Sequence, residues 1–159
     1  MTPAASDRLP TELAYMAGII DGEGCIRIGT YLRKSTTGNY LKTQAAIEIS
    51  NTDIRMLRWV SERFGGHVRP KSHQNPKGKP AFTWQCGGRE GHDILTKILP
   101  YLVIKKDQAE CFVSFVELRS SGKQWSRRGL DPKEEETRNA FADKMHRLNR
   151  KGLSAVVNE

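Results

Sequence analysis

Two segments of the chain alternate apolar and polar residues with the period of a β-strand. In residues 25–33, Ile26 and Ile28 share one face, and basic or aromatic residues occupy the other. In residues 40–51 the apolar positions Ala45, Ile47 and Ile49 again share a face. A turn containing Gly38 separates the two segments. The pattern predicts a β-hairpin with one apolar and one polar face.

Other segments carry apolar residues at helical spacing. They predict helices over 12–20, with Thr11 as N-cap, over 54–64 after a cap at Thr52 or Asp53, and over 91–101 and 105–118. A second hairpin is expected to begin at Val68 and to return through 82–86. A last helix begins after Asp131, and its acidic start and basic end match the helix dipole.

The order of these elements indicates an α+β fold. It reads αββαββα with an additional C-terminal helix, so helices should cover one face of a concave antiparallel sheet and leave the other face to solvent. We expect a flexible tail over 1–10 and one domain over 11–118. A basic loop over 119–130 and a C-terminal helix and tail over 131–159, packed on the same domain, should follow.

Composition narrows the class of partner. The chain has 159 residues and a net charge of +8, which favours a polyanion such as nucleic acid as partner; ordinary solubility is the less favoured explanation of the charge. Its three cysteines are scattered and no apolar run is long enough to span a membrane, so we expect reduced thiols, an intracellular protein and no membrane partner. No histidine pair has metal-ligand spacing.

The run 16–24, MAGIIDGEG, needs more than packing to explain it. It ends a small, apolar helical stretch with two carboxylates, and buried acids are costly unless they are paired, hydrogen-bonded or bound to a metal. Ala14, Gly18 and Gly22 recur every fourth residue and form a strip without bulk, on which another backbone can lie closely. The alternative is a core helix packed on its own sheet, which explains the apolar residues but not the acids.

This run resembles the LAGLIDADG motif of homing endonucleases. Met16 stands at the first Leu position, Ala17 and Gly18 match, Ile19 and Ile20 form the hydrophobic pair, and residues 21–24 form the acidic end. The segments Asn51-Thr52-Asp53, FGGHV at 64–68, Pro100-Tyr101-Leu102 and KKDQA at 105–109 are similarly spaced, so the resemblance covers about 11–118. Family members with one motif pair two subunits, which implies a homodimer.

The resemblance also implies a catalytic site. Glu23 stands at the metal position, where the most familiar form of the motif has Asp, and the Gly22 carbonyl beside it would share an ion such as Mg²⁺ or Mn²⁺. Asp21 is expected to be a structural acid of the interface that Ala14 and Gly18 line. Lys105, Asn51 and Gln108 match further site positions. From spacing alone, however, Lys105 equally suits a basic helix start, and Asn51 an Asx turn.

Side chains on the polar face of the sheet are expected to bind DNA, some in the major groove and some at phosphates. They are Arg27, Tyr31, Arg33, Lys42, Gln44, Glu48, Arg69, Lys71, Thr83 and Gln85, with Lys77, Lys79, Arg127 and Arg128 as phosphate contacts. Together these features predict a homodimeric, metal-dependent endonuclease that cuts both strands of a long, near-palindromic DNA target. An intron-splicing maturase acting on RNA and a non-catalytic DNA-binding regulator are the alternatives.

Overall fold

The computed structural model describes residues 9–72, 74–121 and 130–150. The elements are α1 (Pro10–Glu23), β1 (Gly24–Arg33), β2 (Tyr40–Asn51), α2 (Ile54–Phe64), β3 (His67–Pro70), β4 (Phe82–Gly87), α3 (Gly88–Ile98), a 3-10 turn (Leu99–Tyr101), α4 (Lys106–Ser121) and α5 (Pro132–Arg150). The predicted α+β class and element order are confirmed.

The four strands form one antiparallel sheet in the order β1-β2-β4-β3. Ile26 pairs with Ile47, and Ile49 pairs with Trp84, so the apolar positions of three strands lie on one face. The helices pack on that face and bury it together with Leu57, Phe112 and the apolar side of α1. The other side, which we call the polar face, carries the strand residues that were predicted to contact DNA.

The β1–β2 hairpin is longer than the rest of the sheet. β4 pairs with β2 only from Ala46 to Asn51, so residues 40–45 pair with β1 alone among the described residues. Beyond Gly87, the last residue of β4, the edge of β2 therefore has no neighbouring strand on that side among the described residues. We call this gap the notch. Leu32 lies in this two-stranded region and is 58% exposed, because less of the core remains to cover it.

The predicted bounds of α1 were wrong at both ends. Its N-cap is Leu9 rather than Thr11. Leu9 makes no side-chain hydrogen bond, but the helix can begin here because Pro10, at its first position, has no backbone N–H that needs a partner. The helix also continues through Glu23, three residues beyond the predicted end, and the Gly24 amide closes it on the Ile20 carbonyl. Asp21 and Glu23 therefore lie in its last turn, where helix carbonyls lack intrahelical partners.

The helix α2 has the predicted cap and the predicted glycine end. Asp53 accepts a hydrogen bond from the Arg55 amide at 3.0 Å. Gly65 and Gly66 have φ of 79° and 76°, a region that favours glycine, and a Cβ on Gly66 would lie 2.6 Å from Trp84 Nε1. Because Trp84 Nε1 donates to the Gly65 carbonyl at 2.7 Å, this turn also satisfies the buried indole.

The last three helices differ slightly from expectation. The segment predicted as helix 91–101 is α3 over Gly88–Ile98 followed by the 3-10 turn, and α4 ends at Ser121, inside the predicted basic loop. The helix α5 lies against β1 and α4, where Asn149 Nδ2 donates to the Ile26 carbonyl at 3.0 Å. Most of the predicted N-terminal tail and the end of the C-terminal one lie outside the described residues. No helix in the described ranges has the length and apolarity of a membrane span.

Candidate functional site

The C-terminal end of α1 is held by one lysine. Lys105 Nζ donates to the carbonyls of Ile20 at 2.8 Å, Asp21 at 2.9 Å and Gly24 at 2.6 Å. A helix C-terminus carries partial negative charge and unpaired carbonyls, so an ammonium is a well-matched cap. These three bonds use all three donor hydrogens of the ammonium.

Asp21 makes the reciprocal connection. Its carboxylate accepts hydrogen bonds from the amides of Val103 at 2.8 Å, Ile104 at 3.3 Å and Lys105 at 3.0 Å. These amides immediately precede α4, whose N-terminus attracts negative charge. Asp21 and Lys105, which we call the Asp21–Lys105 pair, therefore join two segments that are more than 80 residues apart in the chain.

Lys105 lies in a partly buried position rather than on an open helix start. Burial lowers the pKa of its ammonium, and the nearby charges of Asp21, Cys25 and Glu23 oppose that shift. Because its three donors are taken by carbonyls, Lys105 in this geometry fixes the position of the α1 end. Its charge still lies close enough to Glu23 for the two groups to interact.

Glu23 differs from Asp21 in being exposed. Within the described chain its carboxylate has no hydrogen bond or ion pair, and the adjacent Gly22 carbonyl is not among those bound by Lys105. A free carboxylate beside a free carbonyl fits a hard divalent ion, which prefers oxygen ligands. No group of three His, Cys, Asp or Glu side chains that could hold a metal is present in the described ranges.

The small-residue strip of α1 faces open space. Ala14, Gly18 and Gly22 are exposed, and a Cβ on either glycine would meet nothing within 4 Å. Gly24, by contrast, is enclosed, since a Cβ there would lie 2.7 Å from the Ile20 carbonyl oxygen. Val103 and Ile104, bonded to Asp21 through their amides, are 82% and 71% exposed. The open strip and its apolar neighbours are thus available to a second chain.

Asn51 and Gln108 are engaged outside this group. Asn51 Oδ1 accepts from the Asp53 amide at 2.8 Å, which is an Asx turn leading into α2. Gln108 Nε2 donates to the Leu148 carbonyl at 3.5 Å and links α4 to α5. Burial raises the pKa of the Cys86 thiol to about 12, so the free thiol is protonated near neutral pH.

Side chains on the polar face bind one another across strands. Arg27 Nη2 donates to Glu48 Oε1 at 2.7 Å, and Arg69 Nη2 lies 3.8 Å from the same oxygen while donating to Gln85 Oε1 at 3.1 Å. Arg33 donates to Gln44 at 3.3 Å. These contacts form two separate polar groups, one around Glu48 and one that joins Arg33 to Gln44, and their members are partly or fully exposed.

The remaining predicted contacts vary in accessibility. Lys71, Lys77 and Lys79 are exposed and Lys42 partly so, but Thr83 is only 5% exposed and bonds Ser50 at 3.0 Å. Arg127 and Arg128 lie outside the described residues. Ser50 and His67 also continue the polar faces of β2 and β3, although they were not among the predicted contacts. The strand alternation, extended by one step, indicates both residues.

Comparisons with known proteins agree with this fold. The model of the LAGLIDADG endonuclease family matches residues 16–117. The homing endonuclease I-CvuI, solved with its DNA target in the presence of Ca, superposes with a TM-score of 0.70 at 22% identity, covering 87% of this chain and 82% of the other. An archaeal intron-encoded homing endonuclease complexed with DNA gives 0.70 at 16% identity, covering 87% and 84%.

A third structure, the homing endonuclease I-TnaI, has a TM-score of 0.61 at 20% identity and covers 87% of this chain and 93% of its own. At these identities the structures show the shared fold. A search of curated proteins found no match. Homodimers and metal dependence are typical of the matching family. Since the family model spans well over half of the sequence, the chain belongs to the LAGLIDADG endonuclease family.

Proposed function

We propose that the chain is a homodimeric, site-specific DNA endonuclease that hydrolyses one phosphodiester bond in each strand of a near-palindromic duplex. Two copies of the open α1 strip pack together in this proposal and bring two Glu23 carboxylates to one twofold axis. The polar faces of the two sheets then lie on successive stretches of the duplex. Such an enzyme acts inside the cell, where its DNA target is.

The exposed Glu23 carboxylate carries this proposal. The Asp21–Lys105 pair holds the last turn of α1, from which Glu23 projects, and the Glu23 carboxylate has no hydrogen bond or ion pair with a described group of the chain. An unpaired carboxylate facing a polyanion weakens binding unless a cation lies between them. A DNA-binding regulator without chemistry would gain nothing from this arrangement, whereas a metal-dependent nuclease requires it.

The residues of the proposed site have different roles. Glu23 and the Gly22 carbonyl would hold a divalent ion, either Mg²⁺ or Mn²⁺, which when bound neutralises charge on the phosphate and favours ionisation of water. Lys105 keeps the end of α1 in place and adds positive charge close to the reacting phosphate. We propose Asn51 and Gln108 as weaker contributors that position water or neighbouring elements.

Cleavage of a selected target tests this function. Duplexes that bind the protein are enriched from a random library in Ca²⁺, and the enriched duplex is then incubated with Mg²⁺, with Mn²⁺ or with a chelator. We expect double-strand cleavage that needs the ion, and a loss of at least about 100-fold in rate for Glu23→Gln with binding retained. Undiminished cutting by Glu23→Gln contradicts the role of Glu23. Tight duplex binding with no cutting under any ion favours the regulator, and cleavage or splicing of RNA alone favours the maturase.

The proposed interface has its own test. Gly18→Arg places a long charged side chain in the open strip, so we expect monomers and no double-strand cleavage. The thermal unfolding temperature of the fold should change little, because Gly18 is exposed and a Cβ there meets nothing within 4 Å. Ser114→Arg adds the same charge at an exposed position on α4 and should leave the dimer intact. Light scattering measures the molecular mass of both variants in solution and so distinguishes monomers from dimers. A Gly18→Arg protein that remains dimeric would show that α1 is not the interface.

A further inference from the structure

The notch in the sheet brings a residue of the helical layer to the polar face. Beyond Gly87 the edge of β2 is not covered by β4, and Arg119 near the end of α4 reaches a cavity of about 570 Å³ there. Arg119 also lines a second cavity of about 400 Å³ between the start of β2 and α5. One guanidinium therefore lies at the border of both cavities.

The cavity on the polar face is strongly basic. Arg27, Arg33 and Arg119 line it with Gln44 and Gln85, and none of its described lining residues is acidic. Glu48 pairs with Arg27, but it does not line this cavity. Three guanidiniums around one concave surface favour an anionic occupant.

Arg119 itself is not neutralised by the described part of the protein. Its guanidinium lies over the Phe115 ring at 5.8 Å and has no ion pair with a described carboxylate. Its neighbour Arg138 is nearly buried and pairs with Glu134. Burial and the charge of Arg138 both lower the pKa of Arg119. A partly buried, uncompensated cation is costly in the free protein, and binding an anion there removes that cost.

The position of Arg119 distinguishes two parts of DNA. Base edges lie deep in a groove, so a side chain must project from the sheet to reach them, whereas a phosphate projects from the duplex and can enter a recess. Arg119 comes from the layer behind the sheet and lies at a recess. We propose that Arg119 binds a backbone phosphate of the DNA duplex at the notch, beside Arg33 and independently of sequence; this inference rests on the proposed DNA-binding function.

The salt dependence of DNA binding tests the proposal. Affinities of the wild type, Arg119→Gln and Arg119→Lys are measured in Ca²⁺ over a range of salt concentrations, for the selected target and for an unrelated duplex of equal length. Arg58→Gln serves as the control, since Arg58 is an exposed arginine on α2. Thermal unfolding of each free protein, with and without added sulfate, shows whether it is folded and whether a small anion binds.

We expect Arg119→Gln to weaken binding to both duplexes by a similar factor, about tenfold per contact at low salt. The slope of log affinity against log salt should fall by about 0.9 per contact, and Arg119→Lys should retain most of that slope. Arg58→Gln should change neither quantity. Loss confined to the selected target would overturn the proposal in favour of base reading.

Other results also overturn it. An unchanged slope with a lower unfolding temperature would assign Arg119 a structural role. Stabilisation by sulfate that depends on Arg119, without any effect on DNA binding, would assign the notch to a free anion. If the wild type binds neither duplex, the proposed function itself fails, and this result is distinct from a wild type that binds but is insensitive to Arg119.

Discussion

The end of α1 and the polar face of the sheet both carry charged side chains, but they hold them differently. At the end of α1, Asp21 and Lys105 bind backbone amides and carbonyls, which have fixed positions. On the polar face, Arg27, Glu48 and Arg69 bind one another through side chains that are partly or fully exposed. The first arrangement fixes geometry, whereas the second can exchange its partners for those of a ligand.

This difference suits the two parts of the proposed reaction. Phosphodiester hydrolysis requires the metal-binding carboxylate to be held within a fraction of an ångström, which backbone contacts provide. Recognition of a long duplex requires side chains that leave one partner for another at little cost, and exposed ion pairs are weak enough for that. Glu23 lies at the boundary, because it is exposed but placed by fixed neighbours.

Replacing Lys105 at the end of α1 should lower the free energy of unfolding more than replacing a charged residue on the polar face. Lys105→Met removes three charge-assisted hydrogen bonds to carbonyls, and we expect the free energy of unfolding to fall by about 1–2 kcal/mol, a range reduced because the ammonium is only partly buried. Lys106→Met removes the same charge from an exposed neighbour and should cost less than about 0.5 kcal/mol. Denaturant unfolding of both variants compares them. Equal losses would show that the carbonyl contacts do not stabilise the end of α1.

On the polar face, a substitution should change the recognition of DNA more than it changes the free energy of unfolding. Glu48→Gln removes the acid shared by Arg27 and Arg69, so we expect a change in unfolding free energy within about 1 kcal/mol. The freed positive charge should raise affinity for unrelated duplexes and narrow their difference from the selected target. Competition binding at fixed salt measures this difference. A preserved ratio of the two affinities would show that Glu48 does not contribute to selectivity.

A smaller change in the free energy of unfolding is expected at the ion pair between α3 and α4. His92 Nε2 lies 3.1 Å from Glu117 Oε1, and this contact, followed by the one with Asp93, raises the pKa of His92 against the opposing effect of burial. When the pKa of a histidine is higher in the folded state, its ion pair contributes fully to stability at pH values below the pKa of the unfolded state. This contribution is lost as the pH rises through the pKa of the folded state. Glu117→Gln should therefore destabilise the fold more near about pH 5.5 than near about pH 8.5, by less than about 1 kcal/mol. A pH-independent difference between the unfolding free energies would contradict this.

The sequence predicted the fold because its strongest signals are local. Alternation placed Ile26 and Ile47 on the buried face and Arg27 and Glu48 on the other, and Asp53 and Gly65 marked the two ends of α2. The start of α1 was misjudged because Thr11 is a better cap in general than Leu9, but Pro10 makes an earlier start possible.

The contacts that build the site could not be predicted in the same way. The three carbonyls bound by Lys105 lie more than 80 residues away in sequence, and no local pattern specifies such a distant partner. Arg119 belongs to a helix whose apolar residues face the core, so its access to the polar face depends on β4 ending before β2 does. The metal assignment of Glu23 came from the motif rather than from local spacing.

The contrast between Asp21 and Glu23 is the centre of this account, and paired substitution tests it most directly. Asp21→Asn and Glu23→Gln each remove one carboxylate charge from the same helical turn, and both variants are measured for unfolding free energy and for metal-dependent cleavage of the selected target. We expect Asp21→Asn to lower stability by about 1–3 kcal/mol, because amides of residues 103–105 lose a charged acceptor. Glu23→Gln should leave stability within about 0.5 kcal/mol and abolish cleavage. A Glu23→Gln protein that unfolds more easily yet still cuts DNA would contradict the account.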